Sequence, residues 1–154
     1  MATASQIFGW VKRFLDQMEL VYEPVDENSI KIIMPLDGKL KNTTAFFNCR
    51  DDSYTVNAYI ALSADEDCRQ KVAEYITRAN YGLRFGCFEM DFNDGEIRYR
   101  LTLDCEDRTG LSDDLVRSTL VIPMRMLERY GDGLVAVMYG IMTPEEALNE
   151  AEKE

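Results

Sequence analysis

The stretch Leu83–Cys105, LRFGCFEMDFNDGEIRYRLTLDC, has the residue pattern of one long β-hairpin. Its predicted turn is Asn93-Asp94-Gly95-Glu96, because Asp and Gly tolerate the positive φ angles that a tight hairpin loop requires. A two-residue loop at Asp94-Gly95 brings apolar side chains together on one face and opposite charges on the other. The predicted pairs are Phe92 with Ile97, Met90 with Tyr99, Phe88 with Leu101, Asp91 with Arg98, and Glu89 with Arg100. A slip of one residue would spoil both faces, so the pattern predicts this hairpin and this register.

Upstream of the hairpin, the residues from Leu20 to Leu62 follow a period of two, which is typical of strands. Groups of turn-forming residues divide this region, so we predict four antiparallel strands in a meander. The predicted strands are Leu20–Val25, Ser29–Pro35, Lys39–Arg50 and Ser53–Ala61. One face of this sheet is apolar and must be buried, and we expect the predicted helices to pack against it. That face comprises Ile30, Ile32, Ala45, Phe47, Cys49, Tyr54, Val56, Ala58 and Ile60.

Helices are predicted on both sides of the meander. Ser5 can cap the first, whose apolar stripe has the spacing of one helical face. The stripe consists of Ile7, Trp10, Val11, Phe14 and Met18. We interpret Trp10, the only tryptophan, as a core residue because it lies on this stripe. Ser63 and Glu66 form a capping-box pattern at the start of a second helix, at about Ala64–Ala79.

The chain after the hairpin is predicted to be helical. Ser112 can cap a third helix at about Leu111–Tyr130, in which Pro123 removes a backbone donor and predicts a kink or break. Gly131-Asp132-Gly133 is interpreted as the end of that helix. Leu134–Met142 is apolar on every side, which a surface helix is not, so this segment is either core or contact surface.

These elements together predict an α+β fold in a single domain spanning residues 1–154. An antiparallel β-sheet, made of the four-strand meander and the long hairpin, is covered by helices in the order α-ββββ-α-ββ-ααα. The last helix is short and acidic and begins at Thr143-Pro144-Glu145-Glu146, where a capping Thr precedes a Pro at the first helical position. A chain of 154 residues can bury roughly 68–70% of its unfolded surface without metal or disulfide staples.

Composition narrows the possible partners and location. The formal net charge of −11 would repel nucleic-acid phosphates and anionic lipids, so we expect neither nucleic acid nor membrane as a partner. No charged and apolar leader opens the chain, and no apolar run approaches the roughly 20 residues that span a bilayer. We therefore expect a cytoplasmic protein. Its four cysteines form no C-x-x-C pair and are predicted to be reduced and mostly buried.

The sequence carries no signature of catalysis. It contains no histidine, which excludes histidine-dependent triads and H-E-x-x-H metalloenzymes. Its acidic clusters all lie at predicted turns or helix N-termini, where acids are expected on structural grounds. These clusters are Asp51-Asp52, Asp65-Glu66-Asp67, Asp104 with Glu106-Asp107, and Asp113-Asp114. We therefore predict a protein that is not an enzyme, with no catalytic, cofactor-binding or metal-binding residues.

Several stretches resemble the YbjN family of bacterial proteins, which are described as sensory transduction regulators. The stretches are Ala79-Asn80-Tyr81-Gly82-Leu83, then Gly86-Cys87-Phe88-Glu89-Met90-Asp91, then Asp94-Gly95-Glu96-Ile97-Arg98-Tyr99-Arg100, and the ending Met138-Tyr139-Gly140-Ile141-Met142-Thr143-Pro144-Glu145-Glu146-Ala147. The order of elements is also similar to the α+β fold of type III secretion chaperones. The resemblance implies a dimeric, non-enzymatic protein that binds other proteins or regulates through them, and it brings no catalytic residues.

The leading hypothesis is a chaperone-like interaction module that binds an unidentified protein partner through an apolar surface as a homodimer. We expect Leu134–Met142, together with Met124, Met126 and Leu127, to form this surface, because methionines can repack around varied partners. The candidate interface residues are Met124, Leu127, Leu134, Val135, Val137, Met138, Ile141 and Met142.

Two alternatives remain open from the sequence. A small enzyme or ligand-binding protein could use acidic residues with Arg84, Arg98 or Arg100. This alternative needs a pocket with converging charges and perturbed pKa values. In the other alternative, Leu134–Met142 is simply core and the protein is monomeric.

Overall fold

The computed structural model describes residues 1–153 and contains helices and strands in the order predicted up to the end of the hairpin. The helices are α1 (Ala4–Gln17), α2 (Arg69–Tyr81), α3 (Asp113–Met138) and α4 (Pro144–Ala151). The strands are β1 (Glu23–Asp26), β2 (Ser29–Pro35), β3 (Asn42–Arg50), β4 (Ser53–Ser63), β5 (Cys87–Met90) and β6 (Glu96–Asp104).

The six strands form one antiparallel sheet in the order β1-β2-β3-β4-β6-β5. The first four strands are the predicted meander. The hairpin joins it through β6, where Val56 of β4 pairs with Leu101. Helix α2 lies in the connection between β4 and β5. In the sheet, the second hairpin strand, β6, lies beside β4, and the first, β5, forms the edge. The predicted fold class, an antiparallel sheet covered by helices, is confirmed.

One face of the sheet forms the core. All nine apolar residues predicted on that face, from Ile30 to Ile60, are buried. Helix α1 packs against β3 and β4, α3 against β4 and β6, and α2 against β5. Helix α4 packs against α2 and α3 instead of the sheet. The buried side chains of these elements form one continuous hydrophobic core.

The opposite face of the sheet, here called the open face, has no such cover. Its side chains belong to two adjacent rows of paired residues that cross β2, β3, β4 and β6. One row contains Ile33, Thr44, Tyr59 and Arg98, and the other contains Lys31, Phe46, Asn57 and Arg100. Except for Asn57, which is buried, these residues remain partly or largely exposed within residues 1–153.

The hairpin has the predicted faces but a register shifted by two residues. Phe88 pairs with Tyr99 and Met90 with Ile97, while Glu89 pairs with Arg98. An even shift keeps every side chain on its face, which is why the apolar and charged faces survive. The predicted loop at Asp94-Gly95 and its partner pairs, including Phe92 with Ile97, are wrong. Phe92 is instead 55% exposed.

A contact from outside the hairpin explains why its loop is longer than the predicted two residues. The backbone N–H of Ala64 donates to the carbonyl oxygen of Gly95 at 2.9 Å. Gly95 has a φ of 78°, and a Cβ there would stand 1.9 Å from the carbonyl oxygen of Ala64. Asp91 and Asp94 close the loop by accepting the backbone N–H groups of Asn93 and Glu96. The segment after β4 therefore determines where the turn lies.

The starts of the first two helices differ from the prediction. Thr3, not Ser5, caps α1, in a capping box with Gln6. Helix α2 begins at Arg69 instead of Ala64, because β4 extends to Ser63 and Ala64 is bound to the hairpin loop. The predicted box of Ser63 with Glu66 is therefore wrong. The predicted apolar side of α2 is buried from Val72 onwards: Val72, Tyr75, Ile76 and Ala79.

Helix α3 is one continuous helix of 26 residues, where two helices were predicted. It passes through Pro123, which is buried, and through Gly131 and Gly133. The glycines serve close packing and do not end the helix. A Cβ on Gly131 would stand 2.6 Å from Leu40, and one on Gly133 would stand 2.3 Å from the hydroxyl oxygen of Tyr75.

Two of the predicted helix starts in this part of the chain are confirmed. Ser112 caps α3 by accepting the backbone N–H of Leu115. Thr143 and Glu146 form a reciprocal capping box at α4, with Pro144 at the first helical position. Helix α4 ends at Ala151, and the predicted last residue, Glu154, lies outside the described residues.

Candidate protein-interaction surface

The predicted interface segment forms the last turn of α3 and the loop that follows it. The backbone N–H of Tyr139 donates to Val135 at 3.1 Å, and that of Ile141 donates to Ala136 at 2.8 Å. Gly140, with a φ of 70°, allows this close reversal of the chain. The loop is therefore held by backbone hydrogen bonds.

The structure divides the predicted interface residues into buried and accessible ones. Leu127, Leu134 and Val137 are each at most 1% exposed and belong to the core. Helix α3 packs against the sheet, against α2 and against α4. Apolar residues on several sides of α3 are therefore buried. These three residues cannot form a surface without unfolding. The partly exposed residues are Met124, Val135, Met138 and Met142, and Ile141 is 70% exposed.

Tyr139 is a further candidate that the sequence prediction did not single out. Its side chain is 68% exposed. It lies two residues from Ile141, on the same turn, which backbone hydrogen bonds hold in place. The available signal was Gly140, because a glycine at this position commonly ends a helix and leaves Tyr139 at the end of its last turn. We call Met138, Tyr139, Ile141 and Met142 the α3-end surface.

A groove lies on each side of the α3-end surface. The first has a volume of about 440 Å³ and lies between the end of β4, the start of α2 and Met138 with Tyr139. The second has a volume of about 360 Å³ and lies between α3 and α4, beside Ile141 and Met142. Acidic and basic side chains line both grooves together with these apolar residues. The surface thus combines two protruding side chains with two adjacent depressions.

The arginines named in the ligand-binding alternative do not all come together. Arg98 and Arg100 both bind the same oxygen of Glu89, with N–O distances of 2.9 and 3.0 Å. Arg84 lies elsewhere and stacks on Phe85 at 5.4 Å. Partial burial acts to raise the pKa of Glu89, but hydrogen bonds from Arg100 and Arg98 outweigh it, and the pKa is lowered. Glu89 is therefore an ionised partner of two cations.

The acidic pair Asp51-Asp52 has a structural role. One oxygen of Asp52 accepts the backbone N–H of Ala2 at 3.0 Å, and one of Asp51 accepts that of Ala4 at 2.9 Å. Asp51 thus satisfies a free donor in the first turn of α1, and Asp52 binds the backbone just before its cap. Within residues 1–153, no three metal-ligating side chains come together, and no helix has the length and apolar character needed to cross a bilayer.

Comparisons with known proteins add a family and a fold. The model of the family YbjN, "Putative bacterial sensory transduction regulator", matches residues 9–135, which end just before the α3-end surface. A chain from the crystal structure of the ExsC-ExsE complex superposes with a TM-score of 0.52 at 13% sequence identity. The match covers 84% of this chain and 94% of that chain. No curated protein matches the chain. At this identity the structural match shows the fold alone, and it confirms the secretion-chaperone-like α+β prediction.

Proposed function

Since the chain belongs to the YbjN family, we propose that it is a non-enzymatic regulatory module that binds another protein and works as a homodimer in the cytoplasm. The observation that carries the proposal is the exposure of Tyr139 and Ile141 on a turn that backbone hydrogen bonds hold in place. Contiguous exposed apolar patches mark protein-contact sites, and Tyr139 and Ile141 lie two residues apart on one turn, beside Met138 and Met142.

The energetics of the α3-end surface favour association. Burying a side chain such as Ile141 releases roughly 1.5–3 kcal/mol, and tyrosine is enriched among residues that dominate interfaces. The turn is already ordered, so little conformational entropy is lost when a partner binds. Met138 and Met142 border the two grooves, where their flexible side chains can adapt to the partner.

The cytoplasmic part of the proposal is supported by the thiols. All four cysteines are free, and Cys49 and Cys105 are buried. Unpaired cysteines are usual in a reducing compartment.

The ligand-binding or enzymatic alternative has less support. Catalysis by Glu89 as a general acid or base would favour a pKa close to the working pH. The pKa of Glu89 is instead lowered, since its hydrogen bonds to Arg100 and Arg98 outweigh the effect of partial burial. An ion-paired carboxylate of this kind is typical of a structural ion pair.

Static light scattering on matched variants tests the proposal. We expect the unmodified protein to have twice the mass of one chain, and Tyr139→Asp and Ile141→Asp to have the mass of one chain. Tyr81→Asp is the control, because Tyr81 is 97% exposed but lies at the end of α2. Circular dichroism checks that each variant is folded.

Three results would contradict the proposal. The first is an unmodified protein with the mass of one chain. The second is that the Tyr139→Asp and Ile141→Asp variants are folded and keep the dimer mass. The third is that the Tyr81→Asp control dissociates the dimer as much as those two variants do.

A further inference from the structure

Helix α4 covers part of α2 and α3 but buries little of its own surface. It packs against these two helices. Of its eight residues, only Pro144 and Ala147 are buried, Leu148 and Ala151 are partly buried, and the other four are exposed. A helix this short is marginal in water without tertiary contacts, since isolated helices need roughly 12–15 residues. The folded state of α4 therefore depends on a small area of contact with α2 and α3.

The contact between α4 and α3 is incompletely filled. A groove with a volume of about 360 Å³ lies between the two helices. Protein interiors normally leave few voids larger than a water molecule. The helical lining of the groove includes four small residues, which are Gly133 and Ala136 of α3, and Ala147 and Ala151 of α4. Because Ala151 is also partly exposed, a larger apolar side chain at its position would fill space that α4 leaves empty.

Two polar contacts hold the C-terminal end of α4 on α3. The hydroxyl group of Tyr130 donates to a carboxylate oxygen of Glu152 at 2.9 Å, and Nε of Arg129 donates to the backbone carbonyl oxygen of Ala151 at 3.4 Å. Burial raises the pKa of Tyr130 to about 12, so its hydroxyl group remains a donor. Any helix that ends at this place and carries a carboxylate one residue further on can accept both hydrogen bonds.

The charged residues of α3 and the β2–β3 loop that line the groove balance one another. They are two acids, Glu128 and Asp132, and two bases, Lys39 and Arg129. The two acids also accept the backbone N–H groups of Asp37 and Lys39, at 2.7 and 2.8 Å. Net charge therefore does not select what lies against this surface, and the selection rests on apolar fit and on the acceptors for Tyr130 and Arg129.

The N-terminal end of α4 is stabilised by its own cap. Oγ1 of Thr143 accepts the backbone N–H of Glu146, and Oε1 of Glu146 accepts that of Thr143, both at 3.1 Å. Both bonds lie within residues 143–146, and Thr143 is exposed. Removal of the Thr143 hydroxyl group should therefore weaken α4 and leave the covered surface of α2 and α3 unchanged.

We propose that α4 is a displaceable cover and that a helix of the protein partner takes its place against α2 and α3. The occupant is a helix because α4 itself shows that this surface accepts one. The partner helix is amphipathic, has leucine or methionine at the position of Ala151, and places a carboxylate at the position of Glu152. The proposal rests on the proposed protein-binding function and gives the partner its chemistry, and the groove continues from Ile141 and Met142 of the α3-end surface.

Fluorescence anisotropy with the full chain tests this proposal. The probe is a labelled peptide with the sequence of residues 143–153 and Ala151→Leu, and the control peptide carries Leu148→Glu and Ala151→Glu. We expect the protein to bind the leucine peptide and not the control. The affinity scales with the fraction of molecules in which α4 is displaced, so Thr143→Ala in the full chain should tighten binding about fivefold. Ala151→Leu in the full chain should weaken binding at least about fivefold, because the new side chain holds α4 in place.

Thr3→Ala is the matched control. Thr3 caps α1 in the same kind of capping box, and α1 packs against β3, β4 and α3. This variant should bind the leucine peptide as the unmodified protein does. Hydrogen exchange gives a second measurement: the amides of α4 should exchange faster than those around Leu127 in the middle of α3, and Thr143→Ala should accelerate the amides of α4 alone.

Four results would overturn the proposal. The first is that neither the unmodified protein nor Thr143→Ala binds the leucine peptide, or that both peptides bind equally. The second is that Thr3→Ala changes the affinity as much as Thr143→Ala does. The third is that the amides of α4 exchange no faster than those around Leu127. The fourth is that Thr143→Ala raises the mass in light scattering above that of the unmodified protein, because a second copy of α4 is then the occupant.

The same samples distinguish failure here from failure of the proposed function. If the leucine peptide does not bind while Ile141→Asp still dissociates the dimer, the α4 proposal alone is wrong. If the peptide binds and Thr143→Ala tightens its binding while Ile141→Asp keeps the dimer mass, the α3-end surface alone is wrong.

Discussion

The hydroxyl group of Tyr75 on α2 donates a 2.7 Å hydrogen bond to the backbone carbonyl oxygen of Tyr130 within α3. Burial raises the pKa of Tyr75, so the hydroxyl keeps its proton and remains a donor at any physiological pH. Gly133 lies beside this contact, and its missing side chain makes room for the Tyr75 ring. The contact joins the helix that covers β5 to the helix that carries the α3-end surface.

Gly133→Ala is expected to destabilise the protein. Its Cβ would stand 2.3 Å from the hydroxyl oxygen of Tyr75, so the helices must shift, at a cost of about 1–3 kcal/mol. Gly9→Ala is the control, because Gly9 lies inside α1 with nothing within 4 Å of its would-be Cβ. That substitution should raise stability by about 0.5–1 kcal/mol. Urea unfolding of both variants measures the difference, and a stabilised Gly133→Ala variant would contradict this account.

Tyr75→Phe removes the hydrogen bond and also the atom that Gly133→Ala would strike. Alone, it should lower the free energy of unfolding by about 1 kcal/mol. In combination with Gly133→Ala, the total loss should be smaller than the sum of the two single-variant losses, because phenylalanine lacks the atom closest to the new Cβ and the ring carbon at 2.9 Å needs a smaller shift. A double-mutant cycle by urea unfolding gives the coupling. Strict additivity would show that Gly133 is needed for some other reason.

The apolar face of the meander could be predicted from the sequence because it depends only on local alternation. A period of two assigns Ile30, Phe47 and Tyr54 to one side without knowledge of any distant contact. The hairpin faces were predictable for the same reason. Its register was not, because the loop is determined by Ala64, which lies far from Gly95 in sequence.

The C-terminal region was less predictable because its residues depend on packing partners. Gly131 and Gly133 have the sequence pattern of a helix end, but their neighbours Leu40 and Tyr75 make them packing positions inside α3. In the same way, Leu134 and Ile141 are equally apolar in the sequence. Only the positions of α2, α4 and the sheet make one of them core and leave the other exposed.

Asn80→Ala is expected to loosen the β5 edge. The side-chain amide of Asn80 donates to the carbonyl oxygen of Phe88 at 2.9 Å, and its oxygen accepts the N–H of Phe88 at 2.8 Å. Losing both bonds leaves two partly buried backbone groups unpaired, which should cost about 1–3 kcal/mol. The amide of Phe88 should also exchange its hydrogen faster. Asn149→Ala, at an exposed position of α4, is the control and should change stability by at most about 0.5 kcal/mol.

Glu89 should make stability depend on pH in the acid range. Partial burial acts to raise its pKa, but hydrogen bonds from Arg100 and Arg98 outweigh this and lower the pKa. A lowered folded-state pKa contributes stability above the unfolded-state pKa of about 4.3, and that contribution is lost as the pH falls through the folded-state value. Because the side chain is 34% exposed, Glu89→Gln should cost only about 0.5–1 kcal/mol at neutral pH.

The test for Glu89 compares unfolding curves at neutral pH and at acidic pH. The difference between Glu89→Gln and the unmodified protein should shrink as the pH falls below the unfolded-state pKa of about 4.3, and it should vanish below the folded-state pKa, where both side chains are uncharged. Glu74→Gln is the control, because Glu74 forms an exposed pair with Arg78 and should change stability by about 0.3–0.5 kcal/mol at most. A difference that stays constant with pH would mean that the ion pairs of Glu89 do not stabilise the fold.

The four thiols should react at two distinct rates in the folded protein. Burial raises the pKa of Cys49 to about 12 and also raises that of Cys105, and the two side chains are 4% and 0% exposed. Neither forms much thiolate at neutral pH, and thiolate is the reactive species. Cys68 and Cys87 are partly exposed. Iodoacetamide labelling followed by mass spectrometry should therefore modify Cys68 and Cys87 first, and Cys49 and Cys105 only when urea unfolds the chain. Equal labelling of all four thiols without denaturant would show that the core around Cys49 opens readily.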